Sequence, residues 1–259
     1  MHGSVVVIIA SYGAGVNSTA MLIEYALRGL KVDLILFADT GAERPHTIRY
    51  VETFSAWLVA NGLPAIITVK KVDFKGKVLT LEQDCLNKKT LPSLAYGFKT
   101  CSQKYKIQPQ DKFVNNWNLA KKHWKAGNKI TKLIGYDADE EHRTNTSYEN
   151  QKYDFIYPLV EWNMGRDECI ATIEKAGLCQ PGKSACFFCP SSKKTEIKQL
   201  KAVYPDLADR ALAMEENAEL TSVKGLGRGF AWKDLLSNQD LFTDGYFSTP
   251  EMTCGCYDG

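Results

Sequence analysis

The hydrophobic positions of this chain fall into two alternating patterns. Val5 to Ala10 is an unbroken apolar run of strand length, which predicts a strand buried on both faces. A helical pattern over 18–30 follows and is closed by Gly29. The run from Val32 to Ala38 predicts a second buried strand. Residues 45–60 predict a helix, with Pro45 in its first turn and Asn61-Gly62 past its end. A third strand is predicted over 65–69, a long helical region over 108–125, and a fourth strand over 131–134. Strands that alternate with helices imply right-handed crossovers and a parallel sheet. Beyond Asp137 the pattern weakens: helices are predicted over 166–176, 195–203 and 205–220, and the glycine-rich stretch 225–229 predicts a mobile loop. The expected fold class is α/β. A Rossmann-like parallel-sheet core spans 1–160, and a mostly helical C-terminal part with a tail spans 161–259.

Composition narrows the setting. A chain of 259 residues suits one large α/β domain, or one domain with an appendage. No run approaches the ~18 apolar residues of a membrane span. The apolar run at Val5 has neither a basic flank before it nor a cleavage signal after it, so the expectation is a cytoplasmic, reducing location with no membrane partner. Eight cysteines are too few for a disulfide scaffold, and in a reducing setting short cysteine spacings point to metal ligation or catalysis. The net charge of +2 conceals a strong asymmetry. Residues 99–133 hold nine lysines and one acid, Asp111, and residues 70–98 hold six lysines and three acids. Tyr105, Phe113, Trp117 and Trp124 lie among those lysines. Such interleaving fits a nucleic acid or a smaller anion such as a nucleotide, and equally a solvated helix face with its rings in the core.

Ser11-Tyr12-Gly13-Ala14-Gly15-Val16-Asn17-Ser18 stands between the first strand and the first helix. Glycines there let the backbone approach a phosphate, and the helix N-terminus supplies the positive end. Ser18 can cap the helix or donate to a phosphate. No Gly-Lys-Ser/Thr closes the loop, and Ser18 stands where a dinucleotide fingerprint would place its third glycine. The segment resembles the PP-loop of the N-type ATP pyrophosphatases, or adenine nucleotide α-hydrolases, in a longer form with Asn17 in the usual place of Asp. Asp39-Thr40-Gly41, at the end of the second predicted strand, is similar to the corresponding segment of phosphoadenylylsulfate (PAPS) reductases. The resemblance implies a nucleotide site lined by Ser11, Tyr12, Gly13, Gly15, Ser18, Asp39, Thr40 and Gly41. Asp39 taken alone can hold a ribose, an amine or a metal, or cap the next helix.

Cys186-Phe187-Phe188-Cys189 is a two-thiol spacing open to structural zinc, a redox dithiol or an iron–sulfur centre. Adenylylsulfate (APS) reductases bind a 4Fe–4S cluster through cysteines in a similar order. That resemblance implies Cys101, Cys186 and Cys189 as ligands, with Thr100 where a fourth would stand. The terminal Thr253-Cys254-Gly255-Cys256 loosely resembles the reductases' C-terminal nucleophile element, so Cys254 and Cys256 are the expected catalytic thiols, or one of them the missing ligand. Cys85, Cys169 and Cys179 read as buried or incidental thiols. Lys104, Lys106 and Arg143 are the implied anion-binding residues. Asp137, Glu140 and Glu141 make the loop after the fourth strand acidic, which suits ATP with Mg²⁺. The resemblance implies an APS or PAPS reductase served by a thiol electron donor. The alternatives are ATP-dependent sulfur transfer to a nucleic acid or nucleoside, and a non-catalytic nucleotide-binding subunit.

Overall fold

The computed structural model describes residues 6–97, 99–144 and 150–237. The elements run β1 (Ile8–Tyr12), α1 (Val16–Leu27), β2 (Leu34–Asp39), α2 (Pro45–Ala60), β3 (Ile66–Lys70), α3 (Leu81–Lys88) and α4 (Thr100–Ser102). They continue with α5 (Gln108–Asn116), α6 (Asn118–Lys125), β4 (Ile130–Ile134), β5 (Tyr153–Ile156) and α7 (Pro158–Glu161). The last are α8 (Arg166–Lys175), α9 (Lys194–Val203), α10 (Pro205–Asn217) and α11 (Trp232–Ser237). The described residues group into two compact units. One holds those of Met1–Ala38, Pro45–Val69 and Pro109–Ser184; the other holds those of Asp39–Arg44, Lys70–Gln108 and Ala185–Gly259. The strand–helix pattern predicts a cut near 160; in the structure α7 and α8 group with the sheet and Lys70–Gln108 with the second unit.

The first unit is built on a five-stranded sheet of order β3-β2-β1-β4-β5. β1 runs parallel to β2 and to β4, and β4 runs parallel to β5; Ala10 stands opposite both Ile35 and Leu133. Alternate residues of β2 feed different cores. Ile35 and Phe37 join the cluster of α1, α2 and α8, whereas Leu34, Leu36 and Ala38 join that of α5 and α6. Burial on both faces is why these strands read as unbroken apolar runs rather than as alternation.

The helix expected over 45–60 is present as Pro45–Ala60. Its end is set by Gly62, at φ 82°. Leu63 N donates to Leu58 O at 3.0 Å and Gly62 N to Val59 O at 3.2 Å, and Leu58 and Leu63 share the core. That hydrogen-bond pair with its hydrophobic contact is a Schellman stop. The helical region expected over 108–125 is instead two helices, broken at Trp117, whose backbone is extended (φ −75°, ψ 123°). The asparagines at 115, 116 and 118 explain the break, because their side chains compete for backbone hydrogen bonds.

The second unit has its own core, including Leu81, Tyr105, Phe187, Phe188, Leu200 and Trp232. The stretch 225–229, expected to be a mobile loop, is a tied turn. Leu226 is buried, and the buried Glu215 carboxylate accepts from Leu226 N (2.7 Å), Trp232 N (2.9 Å) and Lys233 N (3.0 Å). Three backbone donors satisfy a carboxylate that would otherwise be costly to bury.

Phe54 is fully buried between the rings of Tyr12 (5.3 Å), Trp57 (5.8 Å) and Tyr50 (6.2 Å). Phe54→Ala is expected to lower unfolding free energy by about 3–5 kcal/mol in urea titrations, the range for a truncated core aromatic.

Candidate functional site

In the first unit the strand order reverses between β1 and β4, so the connection after β1 leads to one edge of the sheet and that after β4 to the other. At the carboxyl ends of strands flanking such a switch point, open α/β sheets form the crevice in which they place their ligands. The β1–α1 loop lies there. Gly13 N donates to Ser18 Oγ at 3.2 Å, Ser18 Oγ donates to Gly15 O at 3.2 Å, and Gly15 is the residue preceding α1. Ser11 Oγ donates to Gln110 Oε1 at 2.7 Å. Tyr12 turns into the core, so its ring is structural and only its backbone faces the loop. Gly135, just past β4, presses against the start of α1. A Cβ there would stand 2.8 Å from Ser18 Cα and 2.9 Å from Ser18 N, which no side chain tolerates. Ser184 closes the other side, its Oγ 3.0 Å from where a Cβ on Gly15 would be.

Asn17 is the polar hub of this crevice. Its Nδ2 donates to Asp137 Oδ2 (2.7 Å) and Glu140 Oε2 (3.1 Å), and its Oδ1 accepts from Arg166 Nη1 (2.8 Å). An Asp at position 17 would face those two carboxylates as a third like charge; the amide bridges them instead. Asp137 is 3% exposed, and its Oδ1 has no hydrogen-bond partner among the described residues. Burial first, then Glu140, raises its pKa above the ordinary carboxylate range, against the donating Asn17 amide. Arg143, implied as an anion ligand, is instead paired with Glu140, its guanidinium 4.1 Å from the Tyr136 ring.

The second unit holds the thiols. Segment 40–44 runs against the cysteine turn: Glu43 bridges Cys186 antiparallel, and Phe187 N donates to Ala42 O at 3.0 Å. Cys189 N closes the turn on Cys186 O at 3.0 Å. Asp39, Thr40 and Gly41 take partners within this unit. Asp39 accepts from Gly41 N (2.7 Å) and pairs with Lys70 (2.9 Å). Thr40 Oγ1 donates to Glu43 Oε1 (3.1 Å) and lies 3.4 Å from Cys186 Sγ. Gly41, at φ 72°, has Thr80 so close that a Cβ would stand 2.4 Å from its methyl carbon.

Lys106 sits on a π-helical turn, Gln103–Ile107, and pairs with Glu43 at 3.6 Å; Lys104, on the same turn, is exposed. Burial works to lower the Lys106 ammonium, but Glu43 and the two thiols outweigh it and hold it above its ordinary value. Burial, reinforced by Glu43, pushes the Cys186 thiol up to about 12, against Lys106 and Thr40. Arg44 is 3% exposed, and its Nε and Nη2 lack hydrogen-bond partners among the described residues.

A buried guanidinium with two donors unpartnered among the described residues, and a half-buried ammonium, beside two thiols suit an anionic, thiolate-bound group; a metal deprotonates such thiols outright. The turn places Cys186 and Cys189 side by side, the arrangement in which two thiolates can share one metal centre. Cys101 packs on the same core, and its backbone N donates to Ser93 Oγ (2.9 Å). Among the described residues, however, no three His, Cys, Asp or Glu side chains converge as a metal set. Cys85 and Cys169 are buried free thiols, and Cys179 is not among the free thiols. Cys254 and Cys256 lie outside the described residues.

No protein-family model matches the chain, and no curated protein matches it. Among solved structures it is similar to the U34-tRNA thiolase NcsA from Methanococcus maripaludis with its 4Fe–4S cluster. The likeness has 16% identity and a TM-score of 0.40, over 90% of this chain and 73% of that one. Similarity at that level assigns no chemistry, which rests on the side chains above.

Sequence reasoning passed over Glu43, Arg44, Arg166 and Ser184. Glu43 and Arg44 follow the Asp-Thr-Gly segment directly, and that adjacency was the available signal. Arg166 is 149 positions from Asn17, and nothing in the linear pattern couples them.

Gly135→Ala is expected to weaken ATP binding by about tenfold or more through displacement of the phosphate loop. Calorimetric titration measures this, with circular dichroism to verify the fold. Unchanged affinity would mean that the loop is not the nucleotide site.

Proposed function

We propose that this chain is an ATP-dependent enzyme of PP-loop type that activates a carbonyl on a nucleic acid or nucleoside and exchanges its oxygen for sulfur. Support comes from the Asp137 and Glu140 carboxylates that Asn17 gathers at the N-terminus of α1. A pocket for a sulfonucleotide anion needs free cations facing the sulfate. Here the β4 loop presents carboxylates, and Arg143 is engaged by Glu140 and Tyr136. Carboxylates beside a phosphate loop suit a nucleotide that arrives with a divalent cation. The lysine excess over 99–133 suits a polyanionic acceptor. Its rings are not a stacking platform, because Tyr105 is buried and Phe113, Trp117 and Trp124 pack against the first unit's core.

The chemistry balances without oxidation or reduction. The acceptor's carbonyl oxygen attacks the α-phosphorus of ATP, the bond to the β-phosphate breaks, and pyrophosphate leaves. Hydrosulfide from a sulfide donor then attacks the activated carbon. AMP departs with the former carbonyl oxygen, and a proton is released. In the first step, the loop amides and the α1 N-terminus orient the phosphates. Asn17 fixes the carboxylates, and Gly135 keeps the crevice narrow. Cys186 and Cys189 would hold the 4Fe–4S group, and Lys106 and Arg44 would balance its negative charge. When bound, that group supplies a place to hold hydrosulfide as a nucleophile.

Anaerobically reconstituted protein is expected to release pyrophosphate and AMP from ATP only when nucleic acid is added, and to incorporate label from radioactive sulfide. Cys186→Ser is expected to lose iron and sulfur incorporation but to keep nucleic-acid-dependent pyrophosphate release. Sulfite production from APS or PAPS without pyrophosphate would overturn the proposal in favour of sulfonucleotide reduction.

A further inference from the structure

The second unit carries a short hairpin that the chemistry above does not use. Val72 and Val78 pair antiparallel. Asp73 N donates to Lys77 O (2.9 Å), Leu79 N to Lys71 O (2.9 Å) and Gly76 N to Asp73 O (3.2 Å). The Asp73 carboxylate braces the tip from within, accepting from Lys75 N (2.8 Å) and Lys77 N (2.9 Å). At this tip Phe74 is 93% exposed, more than any other large hydrophobic side chain among the described residues.

A scattered exposed apolar residue needs no explanation. Phe74 differs because it is mounted on a hydrogen-bonded tip, with Lys75 beside its ring and Lys77 on the same hairpin. Lys70 is committed to Asp39, and Lys71 lies over the Tyr105 ring at 4.3 Å. Lys75 and Lys77 have no ion-pair partner among the described residues, and the Lys75 ammonium sits 5.5 Å from the Phe74 ring centre. The sequence suggested stacking rings within 99–133, but the structure buries or packs those and exposes this one instead.

We propose that this hairpin docks single-stranded nucleic acid: an unpaired base stacks on Phe74, and the flanking phosphates meet Lys75 and Lys77. A ring with adjacent cations on a fixed support is the arrangement that holds single strands with little regard to sequence. Bases within a duplex are stacked on one another and offer a lone ring no free face without unstacking. An anionic membrane fits less well. Stable interfacial anchoring takes two signals, and one ring beside Asp73 supplies one. The biological meaning rests on the nucleic-acid acceptor proposed above, but the docking itself needs neither ATP nor the thiols.

The test uses the full chain, a fluorescently labelled mixed-sequence single-stranded RNA and the matching duplex, with anisotropy read over a series of salt concentrations. The single strand should bind more tightly than the duplex. Phe74→Ala should weaken it about tenfold or more, and Phe74→Trp should retain it. Lys75→Ala with Lys77→Ala should reduce the slope of log affinity against log salt by about 1.4, two phosphate contacts' worth for a single strand. Melting temperatures should not move, since these side chains are exposed. The proposal is overturned if Phe74→Ala binds like the parent or if duplex and single strand bind alike. It is also overturned if the parent shows Phe74-dependent binding to phosphatidylserine vesicles and none to RNA. Phe74-dependent RNA binding without pyrophosphate release would sink the thiolation reading and leave the docking intact. Thiolation with RNA binding indifferent to Phe74 would do the reverse.

Discussion

The approach of Gly135 to the backbone of Ser18 is the constraint on which the first unit turns. β1 is paired in parallel with strands on both sides, so the chain leaves the sheet in opposite directions after β1 and β4. The start of α1 and the exit of β4 must then share one narrow space, and only a residue without Cβ lets them do so. Once they are that close, Asn17 reaches both carboxylates of the β4 loop, and Arg166 reaches Asn17 from α8. The polar arrangement of the crevice is thus a consequence of backbone proximity more than of any one side chain.

The two units gather charge in different balance: carboxylates predominate around Asn17, whereas Lys106 and Arg44 flank the thiols together with the buried Glu43 carboxylate. In the first, carboxylates collect at a helix N-terminus, which favours negative charge on dipole grounds but leaves Asp137 Oδ1 without a donor among the described residues. In the second, Lys106 and Arg44 accompany a pair of thiols, and Arg44 keeps two nitrogens unpartnered among the described residues. Buried polar atoms are almost always paired, so an orphan inside a well-packed protein calls for a water, an ion or a ligand to complete its set. The first unit's orphan asks for a cation or a donor. Those on Arg44 ask for an anion, which fits an incoming nucleotide with its metal in one case and a thiolate-bound group in the other.

Much of the fold could be read directly. The β2 run, the Pro45 start and the Gly62 stop are local signals, and strand burial, helix entry and helix exit follow from them with little outside help. β5 is silent in the sequence because it is four residues long, with two of them exposed, and carries no periodic signal. α3 has a cap in Thr80 and acids in its first turn at Glu82 and Asp84, but its apolar face is too narrow to give a helical pattern. The loop at 225–229 looked mobile from its glycines, but a carboxylate ten or more positions earlier ties it down.

The sequence by itself determined the α/β class, the place of the glycine-containing loop between the first strand and the first helix, and the pairing of Cys186 with Cys189 on one turn. Those depend on neighbours within a few residues, where propensity, capping and spacing act. Only the tertiary structure decided that Arg143 is spent on Glu140 and Tyr136, that Thr40 and Glu43 face Cys186, and that the rings among the lysines are packed while Phe74 is bare. Each of these is a competition between partners far apart in the chain. Its outcome is fixed by which groups the folded backbone brings within hydrogen-bonding reach, and no local pattern encodes that.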